Sequence, residues 1–445
     1  MTRRRGYLVF GCMAGLLAVL LLTTGWSAQP LVPDVAPVKA QATPESVAEQ
    51  AALWMPDSLH GTTRGMGYFY GKEQGGMELL TGVPYADLPC KNCHTRYNAG
   101  ENKGQVRCEG CHIADAERFA PPQAAVKMPQ FAESGASGCL SCHRRQGFEW
   151  TRTTVRLDAD GKPVTDPVTG VEMQVPAITD VHRSAPPAGK GLQCVNCHDT
   201  GDTHGDGNIY NSLLESPNTE CTDCHHVDKL SQTMGHQIHG SNMTCAACHV
   251  QTVVSCYSCH INGVMAGATE FPYQRVFGWK FLIKNSEGKY DVGNLMAAVY
   301  TDEAGEAKTF AVIAPYYGHS VASLKGDMNK ACAQCHDNAN VKAYNETGSI
   351  TISQWDADAK KVVFPAVQGA VVPVPADYKT AFKLAYPVMT NVDEVGAAGA
   401  DAEKTAKWDL GKEGVDLWQM LYAEPLDKMP VQTQFNFPTP TPAPK

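Results

Sequence analysis

The chain has 445 residues, with 17 cysteines, 15 histidines and a formal net charge of −9. An excess of acid of that size argues against nucleic-acid binding and leaves open docking onto a basic patch of another protein. Length alone suggests about three domains, but the cysteine and histidine pattern points to a different division.

The first residues read as a targeting segment. Arg3, Arg4 and Arg5 precede an apolar run over 6–25, and small residues follow at Gly25 and Ser27 before Ala28. A basic start followed by an apolar stretch directs export. Residues 1–28 are expected to be a signal peptide or a retained membrane anchor, and both place the rest of the chain outside the cytoplasm. Cys12 lies too early in the run for a lipoprotein signal. Residues 29–50, rich in Pro, Ala and Val without aromatics, read as a flexible linker.

From residue 51 to about 340 the chain is organised by one pattern. Cys-x-x-Cys-His occurs eight times and uses sixteen of the cysteines. The copies are Cys90, Cys93 and His94; Cys108, Cys111 and His112; Cys139, Cys142 and His143; Cys194, Cys197 and His198. Then come Cys221, Cys224 and His225; Cys245, Cys248 and His249; Cys256, Cys259 and His260; and Cys332, Cys335 and His336. A bare Cys-x-x-Cys suits zinc ribbons and redox pairs, but a histidine after every second cysteine is the signature of c-type haem attachment. The two thiols add to the vinyl groups of one porphyrin, and the histidine ligates its iron. The expected cofactors are therefore eight covalent haem c groups.

Seven histidines stand outside the motifs: His60, His182, His204, His226, His236, His239 and His319. They are the candidate distal ligands, since a second side chain can fill the other face of haem iron. His236 and His239, three apart, would share one face of a helical turn and point to two different irons. One haem is left without a distal histidine. Met66, Met128 or Met243 could serve it, or a lysine or other amine, or its face could be open to a small substrate.

The 247 residues from Cys90 to His336 give about 31 per motif. That is too little to wrap each porphyrin separately. The expected fold is thus a multihaem cytochrome of low secondary-structure content, with short helices and loops around a close-packed haem array. The aromatics and glycines of 60–80 read as ring packing. The β-prone spacer 250–255 links two motifs that should stack. A motif-free insert, 263–319, is expected to be a small β-hairpin: a strand over 277–284, a turn at 285–288 and a second strand over 310–313, returning His319 to the haems. Residues 341–430, with neither Cys nor His, read as a haem-free mixed α/β appendage. Short strands are expected over 349–353 and 362–374, and a helix over 413–422. Residues 431–445 form a Pro-rich tail.

Taken together, the eight motifs, Cys224-His225-His226, the close pair at Cys245 and Cys256, and the local runs His60-Gly61-Thr62-Thr63-Arg64-Gly65, His204-Gly205-Asp206-Gly207 and Tyr316-Tyr317-Gly318-His319-Ser320 resemble the extracytoplasmic octahaem c-type cytochromes. The His225-His226 doublet is similar to that of the cytochrome c3 class, where the second histidine serves a neighbouring haem. The octahaem resemblance covers about 53–337. It implies electron transfer in anaerobic respiration. The implied redox partner proteins are a quinol-linked donor and a terminal reductase or extracellular acceptor. It also admits an octahaem oxidoreductase acting on a small nitrogen or sulfur compound, or a homo-oligomer or filament of cytochrome subunits. No Cys-x-x-Cys-Lys variant is present, and no catalytic residue is assigned.

Overall fold

The computed structural model describes residues 44–62, 64–87, 139, 143, 153–155, 162–163, 174–176, 178–216, 219–227, 233–257, 259–260, 274–323, 328–391, 394 and 406–432. The first two motifs, the targeting segment, Met128 and Cys142 lie outside these residues. Of Cys259 and His260 only the backbone strand is described. Among the described residues no helix is long and apolar enough to cross a membrane.

An eight-stranded sheet dominates. Its strands are β1 (Val253–Tyr257), β2 (Cys259–His260), β3 (Gln274–Asn285), β4 (Tyr290–Thr301), β5 (Ala307–Pro315), β6 (Val371–Pro373), β7 (Leu417–Met420) and β8 (Ala423–Glu424). The order is β6-β3-β4-β5-β7. β3, β4 and β5 form an antiparallel meander, and β6 and β7 add to it in parallel. β1 and β8 pair antiparallel with β3, and β2 runs parallel to β4.

Two side-chain-braced turns set the register of the meander. Asn285 Oδ1 accepts from the backbone N–H of Glu287 and Lys289, each at 3.1 Å, with Gly288 at φ 78°. Asp302 Oδ1 accepts from Ala304 and Glu306 at 3.0 and 2.9 Å, with Gly305 at φ 82°. In both, an Asx side chain replaces the turn's missing backbone partner and glycine supplies the left-handed residue. The sheet is covered on both faces. Residues 291–295 are buried without a break along β4, the mark of a central strand between two packed layers. Trp279, Phe281, Ile283, Leu295 and Ile313 form its core with Tyr257, Ile352 and Tyr386.

These observations correct the expected fold. The protein is a mixed α/β structure built on a substantial sheet, not a low-secondary-structure array. Its interior is packed from protein side chains, so porphyrins do not form the core. The insert is far more than a small hairpin: β3 and β4 each run 12 residues, and β4 was not expected at all. Strands β6 and β7, from the region read as an appendage, lie in the same sheet as β3–β5. The helix expected over 413–422 is instead the end of a strand (Trp408–Glu413) followed by β7. The linker reading also stops short, because a helix begins inside it at Pro44–Trp54.

The N-terminal helices dock on the far end of this sheet. Gln419 in β7, 1 % exposed, donates to the carbonyls of Phe69 and Gln74 at 2.8 and 2.9 Å. Arg64 reaches the carbonyls of Tyr210 and Asp57 at 2.8 and 2.7 Å. The chain around His60 is thereby fixed against residues 206–210 and the C-terminal strand.

Candidate functional site: five imidazole pairs

Five of the motifs share one local device, whereas the seventh runs along β1 and β2. His143, His198 and His225 each donate their backbone N–H to the carbonyl of the first motif cysteine, at 2.8, 2.8 and 2.9 Å. One helical turn places positions i, i+3 and i+4 on one face, so both thiols and the imidazole look the same way. Capping starts three of these turns. Gln193 N–H donates to Asn196 Oδ1 at 2.7 Å, and Glu220 N–H to Asp223 Oδ2 at 3.0 Å. Thr244 Oγ1 accepts from Ala247 N–H at 3.2 Å at the head of the helix Cys245–His249. The eighth motif closes the helix Met328–His336.

Each of these five motif histidines faces one histidine from outside the motifs. Ring centres lie 6.0 Å apart for His60 and His143, 5.9 Å for His182 and His225, and 6.1 Å for His198 and His319. They lie 6.1 Å apart for His236 and His249, and 6.0 Å for His239 and His336. None of the five joins two motif histidines, and none joins two of the others. His236 and His239, on the one helix Met234–His239, face two different partners. His204 ends the helix Thr200–His204, and His226 directly follows His225. Met243 packs with Ala247, Leu282 and Leu426, and Met66 lies on the helix Arg64–Tyr70.

The second ring nitrogen of several imidazoles is tied down. His198 Nδ1 is hydrogen-bonded to Asp202 Oδ2. Two rings meet carbonyls, His249 Nδ1 that of Ala322 at 3.0 Å and His336 Nδ1 that of Val431 at 2.9 Å. His236 Nδ1 meets Thr233 Oγ1 at 2.6 Å. Each contact fixes a ring's orientation and leaves Nε2 for its other side, the arrangement of metal-ligating histidines. Burial keeps His60 and His225 below the ordinary imidazole value and pushes His319 down to about 4. These rings are therefore neutral, with a lone pair to donate. Asp202 holds His198 above the usual value through its hydrogen bond.

Asp180 joins two of the pairs. Its carboxylate, 5 % exposed, accepts from the N–H groups of His182 and Arg183 at 2.8 and 3.0 Å and from Val321 at 2.7 Å. The segment after β5 is seated by further contacts. Ser320 Oγ donates to Thr252 O at 2.8 Å and accepts from Thr252 N–H at 3.0 Å. Gly318 permits this approach, since a Cβ there would lie 2.7 Å from Thr252 O and Val250 Cγ1. His319 is carried to His198 by that seat.

The pairs form a file. His143 senses His198 and His319, and Cys139 contacts Cys194. Cys197 neighbours Cys224, and Asp180 ties the His182 loop to Val321. Cys221 contacts Cys245, and His225 senses His249. Ala247 packs with Cys335 in one apolar cluster, and one helix serves the last two pairs. The order is thus third, fourth, fifth, sixth and eighth motif. Sequence reasoning found the histidines but missed Asp180, Asp202 and Thr233. Asp202, four residues after His198, and Asp180, two before His182, were the available signals.

Among the described residues, no group of three or more His, Cys, Asp or Glu side chains is placed to hold a metal ion. No cage made of protein donors alone is present there. No protein-family model, curated protein or solved structure matches this chain. These findings correct the expectations drawn from the resemblance. Membership of the octahaem cytochromes has no support from any comparison. The expected haem-built interior gives way to a sheet cored by protein side chains, with five two-imidazole sites among the described residues.

Proposed function

We propose that each imidazole pair is a two-donor clamp for a planar metal macrocycle of the haem type, with the adjoining motif thiols as its covalent tether. One observation carries this reading: five motif histidines each select one partner from outside the motifs, at 5.9–6.1 Å. A metal–nitrogen bond of about 2.0–2.1 Å on each side, with about 1.1 Å from nitrogen to ring centre, sets trans imidazoles about 6.3 Å apart. Ordinary edge-to-face ring contacts span the same distances, so the choice of partner decides. A macrocycle fills four positions on its metal, and two protein donors complete six. Such a site never gathers three protein donors.

The surroundings fit. Val227, Met234, Ile238, Tyr317 and Val431 are 49–71 % exposed. Four of them lie within two residues of a paired histidine, and the carbonyl of Val431 bonds His336. The edge of a macrocycle held at each pair would cover these side chains. The thiols at these sites are those of Cys139, Cys194, Cys197, Cys221, Cys224, Cys245, Cys248, Cys332 and Cys335.

When bound, such a group supplies one-electron redox chemistry. The chain's own part would be to hold the group between paired imidazoles, to orient the rings through Asp202, Ala322, Val431 and Thr233, and to keep neighbouring sites close. Paired imidazoles would leave a substrate no place at these five sites, which favours electron exchange over turnover. Export by an N-terminal signal would accord with attachment outside the cytoplasm, and the net charge of −9 with a basic redox partner. Intact-mass analysis of the mature protein tests the proposal. At least five covalent haem increments, with a low-spin spectrum, are expected; an unmodified chain would end it.

A further inference from the structure

Lys280 is the buried cation that the proposed clamps do not use. It lies in the middle of β3 and is 3 % exposed. Its Nζ donates to the carbonyls of Ala247 and Val250, both at 2.6 Å, with Cys248 O at 3.5 Å. Those carbonyls belong to the last turn of the helix Cys245–His249 and the residue after it. Among the described residues no carboxylate pairs with it. The charged form is therefore solvated by backbone carbonyls alone, and burial pushes the ammonium below its ordinary value. A buried charge without a counter-ion is costly, and such residues concentrate at functional sites. The ionisable groups that act on Lys280 are the thiols of Cys248 and Cys335, from the sixth and the eighth motif. The carbonyls it bonds flank His249, and Cys335 packs in one cluster with Ala247, so Lys280 lies beside two neighbouring clamps, His236 with His249 and His239 with His336.

We infer that Lys280 is a positioning residue with an electrostatic role: it seats the sixth motif on the sheet and raises the reduction potentials of the two sites on either side of it. This inference rests on the clamp reading. A fixed positive charge in a poorly screened interior favours the more reduced, less positive state of a nearby metal. The other three sites lie further along the file and lack this neighbour.

The test is a spectroelectrochemical titration of the mature holoprotein, comparing wild type with Lys280→Gln and Lys280→Met. Gln keeps a donor for the carbonyls without the charge; Met removes both. Two of the resolved potentials are expected to move negative in Lys280→Gln while the rest stay in place, with the low-spin spectrum unchanged. If Lys280→Met does not fold, Lys280→Gln alone decides. Unmoved potentials in a folded, fully loaded variant would overturn the inference, as would an equal shift at every site. A wild-type protein without any haem would instead overturn the clamp reading.

Discussion

The sheet and the string of clamps are built by opposite means. In the sheet, Trp279, Phe281, Leu295 and Ile313 are fully buried, and apolar contact does the holding. In the clamps, regular structure shrinks to single turns, and apolar side chains such as Met234 and Ile238 lie exposed. Order there comes from capping side chains, from Asp180 and from contacts with the sheet's edge. The chain thus divides its labour: a self-sufficient protein core supplies rigidity, and a thinly packed region keeps ten imidazoles in five facing pairs. On the proposed reading, a group bound only by the native state would add to that order.

The sharpest way to break this contrast is to damage the core. Trp279 fills the centre of β3, and its Nε1 donates to Ser255 Oγ at 3.0 Å. Asn294 extends that buried chain, with Ser255 Oγ donating to its Oδ1 at 2.5 Å. Trp279→Ala is expected to cost about 3–5 kcal/mol and to leave Ser255 with one partner fewer. Denaturant unfolding should register the whole loss. Equal stability in the variant would mean that the sheet is not the core that organises this chain.

The next largest effect tests the join between the regions. Asp180→Ala strips the acceptor from three backbone N–H groups and should cost about 2–3 kcal/mol, with amide exchange rising over residues 180–192 and 319–322. Burial alone would raise the Asp180 carboxyl. The His182 imidazole, with Nδ1 3.6 Å from Oδ1, and the N–H groups of Val321, Arg183 and His182 outweigh it, and they hold the group at about 2 instead of 3.8. The folded value is the lower one, so this stability is fully present above about pH 4 and is lost as pH falls toward 2. Allowing for partial solvent screening, it amounts to about 1–2 kcal/mol. Denaturation at pH 5 and 2.5 should show a smaller acid loss in Asp180→Asn than in wild type. An identical pH slope in the two proteins would refute the ionised clamp.

How far the sequence reveals these regions follows the same division. The strand over 277–284 is legible because β-prone residues run into the Asn285–Gly288 turn, a local signal. β4 is not: Gly293, Asn294, Ala297 and Ala298 are poor strand formers, and only neighbours on both sides make them one. Leu417 to Met420 look helical in isolation, but pairing with Phe310–Ile313 decides their conformation. At the clamps, the histidines are legible by type and count. Their pairing is not, because His60 meets His143 and His239 meets His336 only through the fold.

A smaller perturbation probes the seat of His319. Gly318→Ala places a Cβ against Thr252 O and Val250 Cγ1. Backbone and a branched side chain yield little, so the cost should be about 1–2 kcal/mol. The thermal midpoint should drop, and the cross-peaks of His198 and His319 in a histidine-labelled NMR spectrum should move together. Movement of His319 alone would mean that the two rings are not coupled.

The smallest expected effect separates the two kinds of order most cleanly. Thr233 is exposed and touches His236 through one hydroxyl, 2.6 Å from Nδ1. Thr233→Val keeps the shape and removes that contact, for a loss of about 0.5 kcal/mol at a solvated site. The sheet should not register it, so the denaturant midpoint should stay within error. The His236 ring should reorient, because its other constraints are His249 across the pair and the short helix beneath it. A measurable fall in global stability would show that the clamps and the core unfold as one unit. A still ring would show that pairing with His249 alone fixes the imidazole, which would make the second-nitrogen contacts at the other sites dispensable as well.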